Sequence, residues 1–251
     1  MIKNRNKYGA IIEARMGSSR LPGKVLMKFN KVPAIRYLVE RLKYVTELDD
    51  IIVATTINKK DDQLVKYLSK FNIKYFRGSE ENVLQRVLIA AKKYDIKNIV
   101  QVTGDCPLID PTLVSQTINV FKNNKNKYVS NSTIRSYPDG MDVAVFSTKD
   151  LQKVSKLTKN KEDLEHVTLY FKNNPNKFSQ INLMAPSKHH MPELGLTLDE
   201  INDYKLINTI ISRLHSKKKA FSLDDILTFL MTNKKYLKIN ENVKRKVVKV
   251  K

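Results

Sequence analysis

The densest chemistry in the sequence lies in ten consecutive residues, Arg15-Met16-Gly17-Ser18-Ser19-Arg20-Leu21-Pro22-Gly23-Lys24. Three cations and two hydroxyls in one short loop suit a triphosphate, whose charge must be dispersed over several donors. Gly17 and Gly23 let the main chain approach a ligand, and free N–H groups beside them are expected to form an anion-binding nest. Counting excludes two familiar phosphate loops. A P-loop has four residues between its glycines and then Lys-Ser/Thr, whereas five separate Gly17 from Gly23 and Val25 follows Lys24. The dinucleotide fingerprint Gly-x-Gly-x-x-Gly is absent as well. An ordinary basic surface loop is the bland alternative; it does not explain why Gly, Ser, Arg and Lys gather where the neighbouring elements predict a ligand.

Those neighbours alternate between short apolar runs and helix-period segments. Gly9 to Ala14 reads as a buried strand, and Pro33 opens a helix with Ile35, Leu38, Val39, Leu42 and Val45 on one face. Asp50 to Ala54 is a second strand. Asp61 and Asp62 start a helix carrying Leu64, Val65 and Leu68, with the acidic pair at its positive end. Lys74-Tyr75-Phe76 is a third strand, followed by a helix with Val83, Leu84, Val87, Leu88 and Ala91. Ile96 to Val102 is a fourth strand, and Pro111 begins a helix with Leu113, Val114, Ile118 and Phe121. This rhythm predicts an α/β fold, a doubly wound and mostly parallel sheet that binds ligands beyond its strands' carboxyl ends.

The loops to watch therefore follow Ala14, Ala54, Phe76 and Val102. Thr55, Thr56, Arg77 and Ser79 are candidates for a base and ribose pocket, against the alternative of plain strand-end loops. Past the fourth strand come Thr103, Gly104 and Asp105. A carboxylate there suits a hard cation such as Mg²⁺, yet Gly-Asp-x-Pro is also turn-prone. Asp199 follows the strand-like run Leu196-Thr197-Leu198 and reads either as a second metal carboxylate or as a helix cap before Glu200.

From about 127 the rhythm changes. Tyr137-Pro138-Asp139-Gly140 is a turn leading into an alternating strand, Met141 to Phe146. Helical stretches follow at 148–157 and 161–172, then irregular sequence to Leu198. Glu200 to Leu214 returns to helical period, and Ser222-Leu223-Asp224-Asp225 caps one more helix. The chain thus reads as a single domain over 1–240. Its nucleotide-binding half is about 8–126, an acceptor or dimerisation insertion about 127–197, and C-terminal helices about 198–240. A basic, mobile tail over 241–251 completes it.

Across its 251 residues, 41% of them hydrophobic, the chain carries a net charge of +21. The Lys excess is mixed with Asn along the whole length, as in Asn123-Asn124-Lys125-Asn126-Lys127, which reads as a solvated surface rather than a nucleic-acid face. One cysteine excludes a disulfide framework and a Cys-based zinc site. Met1 to Tyr8 lacks the apolar region of a signal peptide, and no apolar run approaches the roughly 18 residues of a membrane span. A soluble, cytoplasmic protein with no membrane or nucleic-acid partner is expected.

The loop, extended to Ile12–Leu26, resembles the opening signature of the cytidylyltransferases of surface-sugar biosynthesis. It is most similar to the spore coat polysaccharide biosynthesis protein F family, relatives of the acylneuraminate and 3-deoxy-manno-octulosonate cytidylyltransferases. Further matches occur in order at Val53-Ala54-Thr55-Thr56, Phe76-Arg77-Gly78-Ser79-Glu80-Glu81, Thr103-Gly104-Asp105-Cys106-Pro107-Leu108-Ile109-Asp110, Tyr137 to Val143, Glu165-His166-Val167-Thr168 and Leu196 to Asp199. The resemblance implies a Rossmann-like nucleotidyltransferase, a homodimer, that couples CTP to a sugar or sugar acid and releases pyrophosphate. It places the nucleotide on Ala14, Arg15, Met16, Gly17, Ser18, Arg20 and Lys24 and on Thr103 and Gly104, with Arg15, Ser18, Arg20 and Lys24 on the triphosphate. It gives Asp105 and Asp199 to Mg²⁺. Asn82, Ala144, Leu164 and Leu169 depart from the residues usual in the family, mostly in the acceptor half.

The chemistry asks for a nucleophilic oxygen, a pyrophosphate leaving in line, and cations to neutralise charge in flight. Lys24 and Arg15 supply positive charge, while Asp105 and Asp199 hold one or two Mg²⁺ ions. Asp139, Asp142, Glu165 and His166 are acceptor-side candidates, His166 also as a general base. Cys106 reads as a packing residue because no cysteine-hydrolase motif surrounds it, and His189-His190 as a loop. Two alternatives stay open. One keeps the fold with another nucleotide or a phosphorylated amino sugar, polyol or phosphonate acceptor; the other is a basic nucleic-acid-binding protein.

Overall fold

Successive residues of the first strand point to opposite faces and all but the last are buried, so both faces of the sheet must be covered. The computed structural model, which describes residues 6–125, 127–215 and 220–246, shows how. In chain order its elements are β1 (Tyr8–Glu13), β2 (Lys28–Phe29), β3 (Val32–Pro33), α1 (Ala34–Leu42), β4 (Asp50–Thr56), α2 (Asp62–Lys70), β5 (Lys74–Gly78) and α3 (Val83–Lys93). Next come β6 (Asn98–Thr103), α4 (Pro111–Asn123), β7 (Tyr128–Ser130), β8 (Ala144–Ser147), α5 (Thr148–Leu157), α6 (Lys161–Glu165), α7 (Leu169–Asn173), β9 (Gln180–Asn182), α8 (Ile201–Leu214) and α9 (Leu223–Thr232).

Seven strands form one sheet in the order β5-β4-β1-β6-β8-β7-β9, and β2 and β3 make a separate small ribbon. β5, β4, β1 and β6 are mutually parallel, β8 runs antiparallel to β6, and β7 pairs antiparallel with β8 but parallel with β9. Residues 127–197 thus extend the same sheet. One core joins Ala10, Ile12, Val53, Val100 and Val145 to α1, α2, α4, α8 and α9. The other joins Ile11, Ile52, Ile99 and Phe146 to α3, α5 and α7. This three-layer α/β/α arrangement is the doubly wound architecture the alternation predicts.

Several expectations are corrected. The alternating strand expected from Met141 begins at Ala144. The helix expected at 161–172 is two short helices interrupted at His166–Thr168. Leu196–Leu198 forms no strand and bends at Thr197. In the basic tail expected from Glu241, Val243 is buried and Arg245 pairs with Asp203, whereas Lys244 and Lys246 are exposed; residues 247–251 lie outside the described residues. Among the described residues no helix is long and apolar enough to cross a membrane.

Candidate active site

At the carboxyl end of β1 the chain leaves the sheet as the basic loop, and a buried carboxylate anchors it there. Asp61, 1% exposed, accepts the N–H of Met16 at 2.6 Å on one oxygen. Its other oxygen accepts the N–H of Thr56 at 3.1 Å and the Thr56 hydroxyl. Within the loop, Ser18 and Gly23 both donate to the Met16 carbonyl, at 3.0 and 2.9 Å, and Leu21 N–H bonds Ser18 Oγ at 3.3 Å. Of the two glycines expected to supply nest donors, Gly23 spends its N–H inside the loop, as do Ser18, Leu21 and Lys24, while the Met16 N–H goes to Asp61. Gly23, at φ +73°, is the one loop glycine in the left-handed region. It turns the chain so that Lys24 points back over the sheet.

Lys24 meets two carboxylates there. Its Nζ lies 2.7 Å from Asp105 Oδ2 and 2.9 Å from Asp199 Oδ1. Asp105 reaches this point because β1 and β6 converge: Gly104 N–H donates to the Glu13 carbonyl at 2.8 Å, and a Cβ on Gly104 would stand 2.8 Å from both that oxygen and Ala14 Cβ. Asp199 reaches it because Leu198 N–H bonds the Asp105 carbonyl at 2.8 Å. The Asp199 N–H then donates to Asp203 Oδ2 at 3.1 Å. The helix cap considered for Asp199 is instead Glu200, in a capping box with Asp203. Arg20 closes the cluster from outside, its Nη2 2.9 Å from Asp199 Oδ1.

Burial alone would drive both partners toward neutrality, but the opposite charges dominate. Lys24 is held above the usual lysine range by Asp105 and Asp199, and Asp105 below the usual carboxylate range by Lys24. Glu13 behaves otherwise. Its burial at the end of β1 pushes it up to about 7, against the hydrogen bond from Gln101 and the charge of Arg86 and with the repulsion of Asp105.

A cleft of about 310 Å³ opens over this cluster. It brings together Ala14, Arg15, Ser18, Arg20, Lys24, Thr103, Gly104, Asp105 and Asp199 from the nucleotide and metal expectations, and Glu165 and His166 from the acceptor side. Met16 and Gly17 do not line it. Thr55 and Thr56, expected in a loop, are buried inside β4, with Thr56 committed to Asp61. Arg77 braces the loop after β4 by donating to the Thr56 and Asn58 carbonyls, and Ser79 Oγ accepts the Asn82 N–H. Arg15 Nη1 lies 3.3 Å from Glu80 Oε1.

Asp139 and Asp142 form a second cluster around Arg135, which is 3.1 Å from Asp139 and bidentate to Asp142 at 2.8 and 3.2 Å. Burial first, and Asp142 next, push Asp139 up to about 6. Cys106 is buried, its thiol pushed well up by burial and by Asp105, as a packing residue would be. His189 belongs to a short turn and pairs with Asp224 at 2.7 Å.

Sequence reasoning passed over Glu13, Arg86, Lys246, Asp61 and Asp203. Glu13 interrupts an apolar strand, and Arg86 stands within the buried face of α3, where it donates to the Ser79 carbonyl at 2.5 Å. A charge in an apolar stripe is the signal that was available for both. Two departures from the family pattern have local explanations. Asn82 caps α3 by accepting the Gln85 N–H at 2.8 Å, as an aspartate would. Leu169 donates its N–H to the His166 carbonyl at 2.8 Å, a bond proline lacks.

The family model described as cytidylyltransferase matches residues 9–237. An uncharacterized protein of Methanocaldococcus jannaschii is 38% identical over 240 residues, 96% of this chain and 97% of its own length. Spore coat polysaccharide biosynthesis protein SpsF of Bacillus subtilis is 32% identical over 228 residues, 89% of this chain and 93% of its own. Among solved structures, a cytidylyltransferase from Leptospira borgpetersenii superposes with a TM-score of 0.88 at 30% identity, covering 97% of this chain and 100% of that one.

Proposed function

The chain belongs to the cytidylyltransferase family, and from that premise we propose that it transfers CMP from CTP to a sugar or sugar acid in a Mg²⁺-dependent reaction that releases pyrophosphate. The observation that carries this reading is the Lys24 ammonium set between Asp105 and Asp199 in the cleft past β1 and β6. Two carboxylates that share one cation at hydrogen-bond distance fit the hard-oxygen donor set of Mg²⁺. No cluster of three or more acidic, His or Cys side chains able to hold a metal occurs among the described residues. A pair of protein carboxylates completed by phosphate oxygens is how Mg²⁺ is commonly held.

In this reading Arg15, Ser18, Arg20 and Lys24 bind the triphosphate. The acceptor's hydroxyl oxygen bonds to the α-phosphorus while the bond from that phosphorus to the bridging oxygen breaks. Pyrophosphate leaves with the electron pair, and the hydroxyl proton passes to a base, for which His166 is the cleft-lining candidate. Mg²⁺, when bound by Asp105 and Asp199, supplies charge neutralisation on the phosphates. Lys24 holds the two carboxylates in one frame and shares its charge with the leaving group. Asp139 and Asp142, set by Arg135, hydrogen-bond acceptor hydroxyls, and the molecule works as a homodimer.

Pyrophosphate release, followed across a panel of sugar acids and sugars with CTP, tests this. Release is expected only when CTP, an acceptor and Mg²⁺ are all present, and is expected to stop with EDTA. Equal release with and without chelator would remove the metal, and no release across the panel would count against the sugar acceptor.

A further inference from the structure

The last basic segment of the described chain folds back onto the site. Asn240, 4% exposed, donates from Nδ2 to Asp203 Oδ1 at 2.8 Å and to the Gly195 carbonyl at 2.9 Å. Arg245 Nη2 reaches the same Asp203 oxygen at 2.8 Å. Asp203, with no exposed surface, spends its other oxygen on the N–H groups of Asp199 and Glu200, at 3.1 and 2.9 Å. The guanidinium lies so close over Gly195 that a Cβ there would stand 1.8 Å from Nη2. Arg20, which pairs with Asp199, also donates to the Lys244 carbonyl at 3.4 Å. Lys246 follows and lines the cleft beside Arg15, Arg20 and Lys24.

A run of charge at a chain end is ordinarily a solvated tail. Here it has a buried anchor, a seat over a residue without a side chain, and an endpoint in the cleft. We infer that Asn240–Lys246 is a built part of the nucleotide site: Asn240 and Arg245 act through Asp203 as positioning residues for Asp199, and Lys246 binds the phosphate oxygens of the nucleotide. The inference rests on the nucleotide reading above and deepens it. It assigns a fourth cation to the triphosphate, from the far end of the chain. It also makes that cation depend on the same anchor that sets one of the two metal carboxylates.

The test is calorimetric titration of the full chain with CTP, at several Mg²⁺ and salt concentrations, for wild type, Lys246→Ala, Arg245→Ala, Arg245→Lys and the double alanine variant. Lys246→Ala is expected to weaken CTP binding about tenfold, the effect of one charge-assisted contact, and to flatten its salt dependence without moving Tm. Arg245→Ala is expected to weaken binding and also to raise the Mg²⁺ concentration needed for half-maximal binding, with partial rescue by Arg245→Lys. The double variant is expected to lose less than the product of the two single losses, because both act through one segment. CTP binding by Lys246→Ala and Arg245→Ala that matches wild type would overturn the inference and leave the nucleotide reading standing. Failure of the wild type to bind CTP would overturn both.

Discussion

Leu198 donates its backbone N–H to the carbonyl oxygen of Asp105 at 2.8 Å. That bond ties the residue before Asp199 to the main chain of the other aspartate lining the cleft. Carboxylates from two distant parts of the sequence are thereby fixed in one frame, and Lys24 completes it from a third. The positions are set by backbone, so side-chain substitutions at the cluster change its charge more than its geometry.

Asp105→Asn keeps the shape and removes the charge. Turnover is expected to fall at least about 100-fold, the scale of losing a metal or charge-stabilising group, with an unchanged circular dichroism spectrum. Asp105 sits below the ordinary carboxylate range in the fold. Its contribution to stability is therefore present above pH 4 or so and is lost as pH falls further. Acid titrations of Tm for wild type and variant should converge below that point; divergence there would refute the pairing.

Asp61→Ala strips the loop of its anchor. The N–H groups of Met16 and Thr56 and the Thr56 hydroxyl all lose their acceptor. A loss of about 3 kcal/mol in urea unfolding is expected, together with weaker CTP binding, since buried donors left unpaired bear their full desolvation cost. Asp61→Asn, which keeps one acceptor oxygen, should lose roughly half as much.

The sheet's first half was legible because β1, β4 and β6 are apolar on both faces and their helices carry clean 3.6-residue stripes. β7 and β9 were not, since three residues are too few to show a period and β9 is only half-buried at the sheet's edge. The loop and both aspartates could be named from composition, position and resemblance. Their pairing with Lys24 could not, because each contact joins segments far apart in the chain. Asp61 read as a helix start, which it adjoins, and nothing local reveals that its carboxylate turns inward. Arg245 read as solvated charge for the same reason: its partner Asp203 and its seat at Gly195 are brought to it only by the fold.

Glu13 gives a pH signature of opposite sign to Asp105. Its carboxyl is raised from an ordinary 4.5 to about 7, so the native state binds the extra proton and stability falls as pH rises between those values. Glu13→Gln is expected to flatten this fall and to be more stable than wild type at pH 8, by roughly 1–3 kcal/mol. Equal slopes for the two proteins between pH 5 and 7 would show that Glu13 titrates normally.

Gly104→Ala tests the convergence of β1 and β6. The added methyl meets Ala14 Cβ and the Glu13 carbonyl at 2.8 Å, and neither can withdraw without parting the strands. A loss of about 2 kcal/mol in stability is expected, with a fall in CTP affinity, because Asp105 is the next residue. A variant with wild-type stability and affinity would mean that the two strand ends are more pliant than their packing implies.

The most direct test of nucleotide selection is the shift in Tm of the full chain with CTP, UTP, GTP or ATP, with and without Mg²⁺, for wild type and Asp105→Asn. A ligand that prefers the native state raises Tm, and no acceptor is needed. The expected result is a rise of about 5 °C for wild type with saturating CTP and Mg²⁺, smaller with the other nucleotides, and lost in the variant. No rise with any nucleotide, or one that ignores both Mg²⁺ and Asp105, would contradict a cytidylyl-transfer site at the Lys24–Asp105–Asp199 cluster.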